Sequence, residues 1–132
     1  MIRIEYADLL NKPFKRGGRG PAEYDCYGLL RECARRAHEP VPPDYPTPNH
    51  DAGIAWAMLQ GVRKGWEKLD RVQPNCVAWM RMDRRTATHV VWMLDTDYFL
   101  HALAETKFPT VERLSNPLWQ RRVVGFYRYA PV

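Results

Sequence analysis

Cysteine is scarce in this chain: Cys26, Cys33 and Cys76 are all it has in 132 residues. Three are too few for a disulfide scaffold and an awkward number for a secreted protein, so the chain is expected to be made in a reducing compartment. No run of 18 or more apolar residues occurs, so no membrane span is expected. The opening Met-Ile-Arg-Ile-Glu-Tyr-Ala-Asp has no charged segment followed by an apolar one, which predicts cytoplasmic synthesis without a signal peptide. There is no CxxC pair and no histidine spacing that matches a zinc ligand set, so neither a metal nor another cofactor is expected. Internal repeats and low-complexity segments are absent. Lysine is sparse too, at five against fifteen Arg.

What is present is the material of a folded domain. The chain is 45% hydrophobic and 12% aromatic, enough to build a core and to exclude wholesale disorder. Its length predicts one domain over residues 1–132. The net charge of +5 favours acidic partners. The arginines, however, are scattered in pairs (Arg35-Arg36, Arg84-Arg85, Arg121-Arg122), which reads as solvated surface, and no nucleic-acid partner is expected.

The first half reads as helical and loop-rich. Ile4, Ala7 and Leu10, with Leu9, suggest a short amphipathic start that Pro13 stops. Phe14 to Pro21 is a Gly/Pro-punctuated loop. After Asp25, the residues Cys26, Leu29/Leu30, Cys33, Ala34 and Ala37 repeat at helical spacing. Five prolines between Pro40 and Pro48 forbid regular structure and predict a semi-rigid crossover within the domain. Asp51 then caps an expected helix from Ala52 to about Arg63, with Ile54, Met58, Leu59 and Val62 as its buried stripe. From Val77 onward the runs Val77–Met80, His89–Leu94, Tyr98–Ala102 and Val123–Tyr129 read as strands. Helices first and meandering strands later describe an α+β domain with an antiparallel sheet.

Cys26 falls in the first turn of the expected helix, where the helix dipole and unpaired N–H groups favour a thiolate. A thiol there is expected to be more acidic than the usual ~8.5. Cys33, two turns deeper, and Cys76, before a strand, read as core. A nucleophilic sulfur needs a base. Of the four histidines, His38 and His50 fall in the crossover region, whereas His89 and His101 lie on consecutive strands joined by Asp95-Thr96-Asp97. If those three form the turn, residues whose numbers add to 192 pair across the hairpin. His89 and His101 then share a face as diagonal neighbours, about 7–8 Å apart at the backbone, within reach of two imidazoles.

In this order, Gly17-Gly18-Arg19-Gly20-Pro21, Tyr24-Asp25-Cys26-Tyr27-Gly28-Leu29-Leu30, Thr88-His89-Val90 and Phe99-Leu100-His101-Ala102 resemble the NlpC-type cell-wall cysteine peptidases, a papain-like family. The Gly-Gly-Arg-Gly-Pro opening resembles the phage tail-associated members in particular. The resemblance implies a papain-like fold with N-terminal helices packed on a C-terminal antiparallel β-sheet. It implies Cys26 as nucleophile, His89 as general base and His101 as the residue that orients His89. The motif aspartate, Asp25, is read as a helix N-cap, and the Cys26 backbone N–H as an oxyanion donor.

The sequence departs from the family in three places. A Tyr is common twelve residues before the nucleophile, where this chain has Phe14. Tyr27 stands where a small Ser is common, and Asn75-Cys76 replaces a usual Gly-Asp. Phe14, Asp25 and Tyr27 are thus the expected substrate and oxyanion neighbourhood. The implied activity is hydrolysis of an amide bond in the peptide stems of peptidoglycan, at the bacterial cell wall and on a virion tail, with phage tail proteins as further partners. The alternative is a catalytically weak structural component of a tail tip. A thiol acyltransferase would need an acyl-chain groove or a membrane anchor, and no anchor is visible.

Overall fold

A computed structural model describes residues 2–48, 64–82 and 88–131. The helix expected over Ala52 to about Arg63, its Asp51 cap, His50 and the Arg84-Arg85 pair lie outside the described residues.

Asp25 adopts an extended backbone and its side chain accepts from the Gly28 N–H, so helix α1 starts at the next residue and runs Cys26–Arg36. Leu29, Leu30, Cys33 and Ala34 form its buried face, and Arg35 and Arg36 sit in the last turn, where positive charge complements the helix dipole. The N-terminal amphipathic start is a 3-10 turn, Ala7–Asn11, rather than an α-helical stripe. Its tighter winding buries Leu9 and turns Leu10 outward.

The strands are β1 (Trp66–Leu69), β2 (Val77–Met80), β3 (His89–Met93), β4 (Tyr98–His101), β5 (Thr110–Arg113) and β6 (Val123–Tyr129); a short helix α2 (Pro117–Gln120) precedes β6. They form one sheet in the order β1-β6-β2-β3-β4-β5, antiparallel throughout. The hairpin register is as expected, with Trp92 opposite Leu100 and Met93 opposite Phe99. The Asp95 carboxylate accepts from the N–H groups of Asp97 and Tyr98, which closes the turn.

β2 and β3 are buried at every position because both faces of the sheet are covered. On one face Val77, Trp79, Val90, Trp92 and Leu100 pack with the apolar side of α1. On the other, Ala78, Met80, Val91, Met93 and Phe99 pack with Leu114 and Trp119. The architecture is therefore α+β, helices against an antiparallel sheet. Strands β1 and β5 and helix α2 were not anticipated. Each edge strand is short and carries charge, and α2 is a single turn begun by the Asn116 cap with Pro117 in its first position.

Candidate active site

The loop before α1 is fastened to the helix start from several directions. Asp25 is 3% exposed, and its carboxylate accepts from the Gly17 N–H at 2.9 Å and the Gly28 N–H at 2.8 Å. It also accepts from Arg19 Nη1 and the Thr47 hydroxyl, each at 2.7 Å. The cap expected from the sequence is thus also the centre of a four-donor cluster. Arg19 extends the cluster: its Nε donates to Asp44, and its Nη2 to the Tyr45 carbonyl and the Thr47 hydroxyl. The Pro-rich crossover, without regular structure, is held over the helix start by these bonds. Gly28 permits the close approach, since a Cβ there would collide with the Gly18 carbonyl oxygen.

Tyr27 serves the same fastening. Its ring packs against Tyr45 at 4.5 Å between centroids, and its hydroxyl donates to the Pro43 carbonyl. Phe14 is held by its N–H to the Lys107 carbonyl at 2.7 Å. Phe14, Cys26, Tyr27 and His89 all line one cleft of about 170 Å³, with Arg16 and Tyr45 among their neighbours. His101 stands behind His89, buried, with His89 Nε2 and His101 Nδ1 2.8 Å apart. The rings of Phe99 and Trp119 pack edge-on to His101 at 5.0 and 4.9 Å.

Cys33 and Cys76 are fully buried, as expected for core. His38 is exposed at the end of α1, in a left-handed conformation. Among the described residues no group of three or more His, Cys, Asp or Glu is arranged to hold a metal ion, and no helix is long and apolar enough to cross a membrane. Among the lining residues that were not foreseen are Tyr45 and Thr47, which the crossover delivers from about twenty residues downstream of Cys26. A proline-rich segment carries no local signal of where it docks.

The electrostatics correct one expectation. Cys26 is only partly exposed, and desolvation, followed by the neighbouring Asp25 carboxylate, pushes its thiol up to about 12. The N–H groups of Val90 and Tyr27 and the Arg19 charge oppose this, but burial prevails over the helix start. Burial likewise holds His89 well below the ordinary histidine value, helped by His101 and by the positive charge of Arg122. His101 is lowered to about 4 by desolvation. At neutral pH the resting site therefore contains a thiol and two neutral imidazoles.

That burial predicts an acid-sensitive fold. Between pH 6.5 and about 4 the unfolded chain takes up a proton that folded His101 refuses, so stability is full above this window and falls as pH drops through it. His101 alone accounts for a loss of about 3 kcal/mol. Thermal melts from pH 7 to 4 are expected to fall less steeply for His101→Asn than for the wild type. Equal slopes would contradict the assignment.

The comparisons with known proteins agree with this architecture. A Staphylococcus aureus Mu50 protein described as similar to lipoprotein, NLP/P60 family, superposes with a TM-score of 0.62 at 19% identity, over 94% of this chain and 38% of that one. An NlpC/P60 family protein from Bacillus cereus gives 0.64 at 18% identity, over 93% and 37%. NlpC2 from Trichomonas vaginalis gives 0.64 at 16%, over 92% and 43%. The chain thus spans about two fifths of the length of these structures. No curated protein matches it. The model of the NlpC/P60 family matches residues 11–128, nearly the whole fold described above, and the chain belongs to that family.

Proposed function

We propose that this chain is a cysteine hydrolase that cleaves an amide bond within the peptide stems of bacterial peptidoglycan. NlpC/P60 is a family of cysteine peptidases with a cell-wall theme. The observation that carries the reading for this chain is the shared cleft: Cys26 opens a helix beside His89, and the far nitrogen of His89 is engaged by His101 at 2.8 Å. Cys26 is the nucleophile, His89 the general base and His101 the residue that orients it.

The neutral resting state suits general-base attack. As Cys26 Sγ bonds to the substrate carbonyl carbon, its proton passes to His89, and the imidazolium then delivers that proton to the departing amine. Water attacks the resulting thioester, gives a proton to His89 and releases the acid and the free thiol. The Cys26 N–H, in the first turn of α1 and without an intrahelical acceptor, faces the developing oxyanion. Arg16 at the cleft gives a carboxylate-bearing stem peptide a cationic partner. A phage or prophage tail as the carrier rests on the Gly17–Pro21 opening.

A second reading, a tail-tip component with weak catalysis, is favoured by one feature: Phe14 brings an aromatic ring to the cleft without a hydroxyl. Digestion of purified peptidoglycan, with fragments identified by mass spectrometry, decides between them when Phe14→Tyr is run beside the wild type. For a working hydrolase, wild type releases stem fragments and Phe14→Tyr releases them faster, by up to about a hundredfold. No fragments from either protein, with a lower melting temperature for Phe14→Tyr, would favour the structural reading.

A further inference from the structure

Strand β5 alternates Thr110, Val111, Glu112 and Arg113, and its register places Thr110 opposite His101 and Glu112 opposite Phe99. Glu112 is therefore the diagonal neighbour of His101 on the face that carries the imidazole pair. His101 is 1% exposed, and its Nε2 has no hydrogen-bond partner among the described residues. The Glu112 carboxylate lies 3.8 Å from that atom. Phe99 and Trp119 pack edge-on to the ring, and the Glu112 carboxylate is the charged group within ion-pair range of that nitrogen; Thr110, directly opposite His101, buries a hydroxyl that is likewise without a partner among the described residues.

We propose that Glu112 is a positioning residue for the reaction assigned to Cys26 and His89, acting by keeping the proton of His101 on Nε2. The proposal rests on that assignment. A neutral imidazole has one N–H and one lone pair, and the His101 Nδ1 atom is already engaged with His89. An N–H at His101 Nε2 is attracted to the carboxylate, whereas a lone pair there is repelled. With the proton on Nε2, His101 Nδ1 accepts from His89 Nε2–H. The second nitrogen of His89, Nδ1, then carries the lone pair that a general base requires. The opposite arrangement would place the His89 proton on Nδ1 and leave the thiol without an acceptor. The gap to Glu112 exceeds a hydrogen bond by about 1 Å, and the Glu112 side chain, one third exposed, has room to close it.

The same carboxylate favours the imidazolium that forms as Cys26 attacks. The charged and titratable groups around the site are Cys26 with Arg19 and Asp25 from the α1 side, Arg16, Tyr45 and Glu105 along the cleft, Glu112 from β5 and Arg122 beyond α2. Glu112 is the anion on the imidazole side, opposing Arg122.

The test combines nitrogen-15 NMR of the histidine rings with pH–rate profiles on stem peptides, for wild type and Glu112→Gln. The expected wild-type spectrum has both His89 and His101 protonated on Nε2. In Glu112→Gln, whose amide can donate or accept, His101 becomes a mixture of tautomers. The plateau of kcat/KM falls about tenfold. Its acid limb moves to lower pH, because the dyad loses the anion that favours its proton, while the melting temperature holds. A wild-type His101 protonated on Nδ1 would overturn the proposal, as would a Glu112→Gln variant with unchanged tautomers and an unchanged acid limb. If the wild type hydrolyses no stem peptide, the assignment to Cys26 and His89 falls, and the tautomer spectra still decide whether Glu112 controls His101.

Discussion

Cys26→Ala is expected to abolish peptidoglycan hydrolysis, by at least about ten-thousandfold, while the protein stays folded. The size follows from the role: without the sulfur no thioester forms, and only binding and any oxyanion contact remain to act on the substrate. The fold should tolerate the change, because Cys26 is partly exposed at a helix start and alanine is the best helix former. Cys33→Ala supplies the contrast. Cys33 is fully buried in the packing of α1, so its loss should lower the melting temperature by an amount equivalent to about 1 kcal/mol and leave turnover nearly intact. Fragment release by the two variants, measured beside their melts, checks both halves. Residual hydrolysis by Cys26→Ala close to the wild-type rate would sink the nucleophile assignment.

Asp25→Ala is expected to cost about 3–5 kcal/mol of stability and to disable the site as well. Breaking a partly buried ion pair by removing one partner leaves the other uncompensated. Here the deserted groups are Arg19 Nη1, whose guanidinium keeps only the more exposed Asp44 as its anion, the Gly17 and Gly28 N–H groups and the Thr47 hydroxyl. Asp25→Asn should fall between, since its carbonyl can still serve Gly28 and Arg19, but its amide then meets the Gly17 N–H donor to donor. Urea titration ranks the three proteins. An Asp25→Ala protein as stable as the wild type would mean that the crossover is held by something other than this cluster.

How much of this was legible in the sequence depended on whether the signal was local. The Asp25 cap and the start of α1 were readable, because a cap and the turn that it satisfies lie within a few residues. The pairing of His89 with His101 was readable too, because a three-residue turn between two apolar runs determines which numbers sum across the hairpin. The edge strands were not. Trp66–Leu69 and Thr110–Arg113 are four residues each, half of them charged, and become strands by pairing with β6 and β4 rather than by their own pattern. Glu112 therefore went unnoticed, as did the further donors that reach Asp25 from Gly17, Arg19 and Thr47. The acidity of Cys26 was misjudged for a related reason. The helix start is visible in the sequence, but the burial that outweighs it arises only when the fold closes the cleft around Cys26 with Tyr45, His89 and other residues distant along the chain.

The five N–H bonds of Arg19 reach Gly18, Asp25, Asp44, Tyr45 and Thr47, so one side chain joins the glycine loop, the helix start and the crossover. Cooperativity follows. Lifting the crossover alone would strip a guanidinium that is 17% exposed of its bonds to Asp44, Tyr45 and Thr47 while it stays paired with a carboxylate nearly sealed from water. The three segments consequently open as one unit or stay closed, in the manner of a single foldon. This wall of the cleft then behaves as a rigid jamb rather than a flap, and a substrate finds it already shaped.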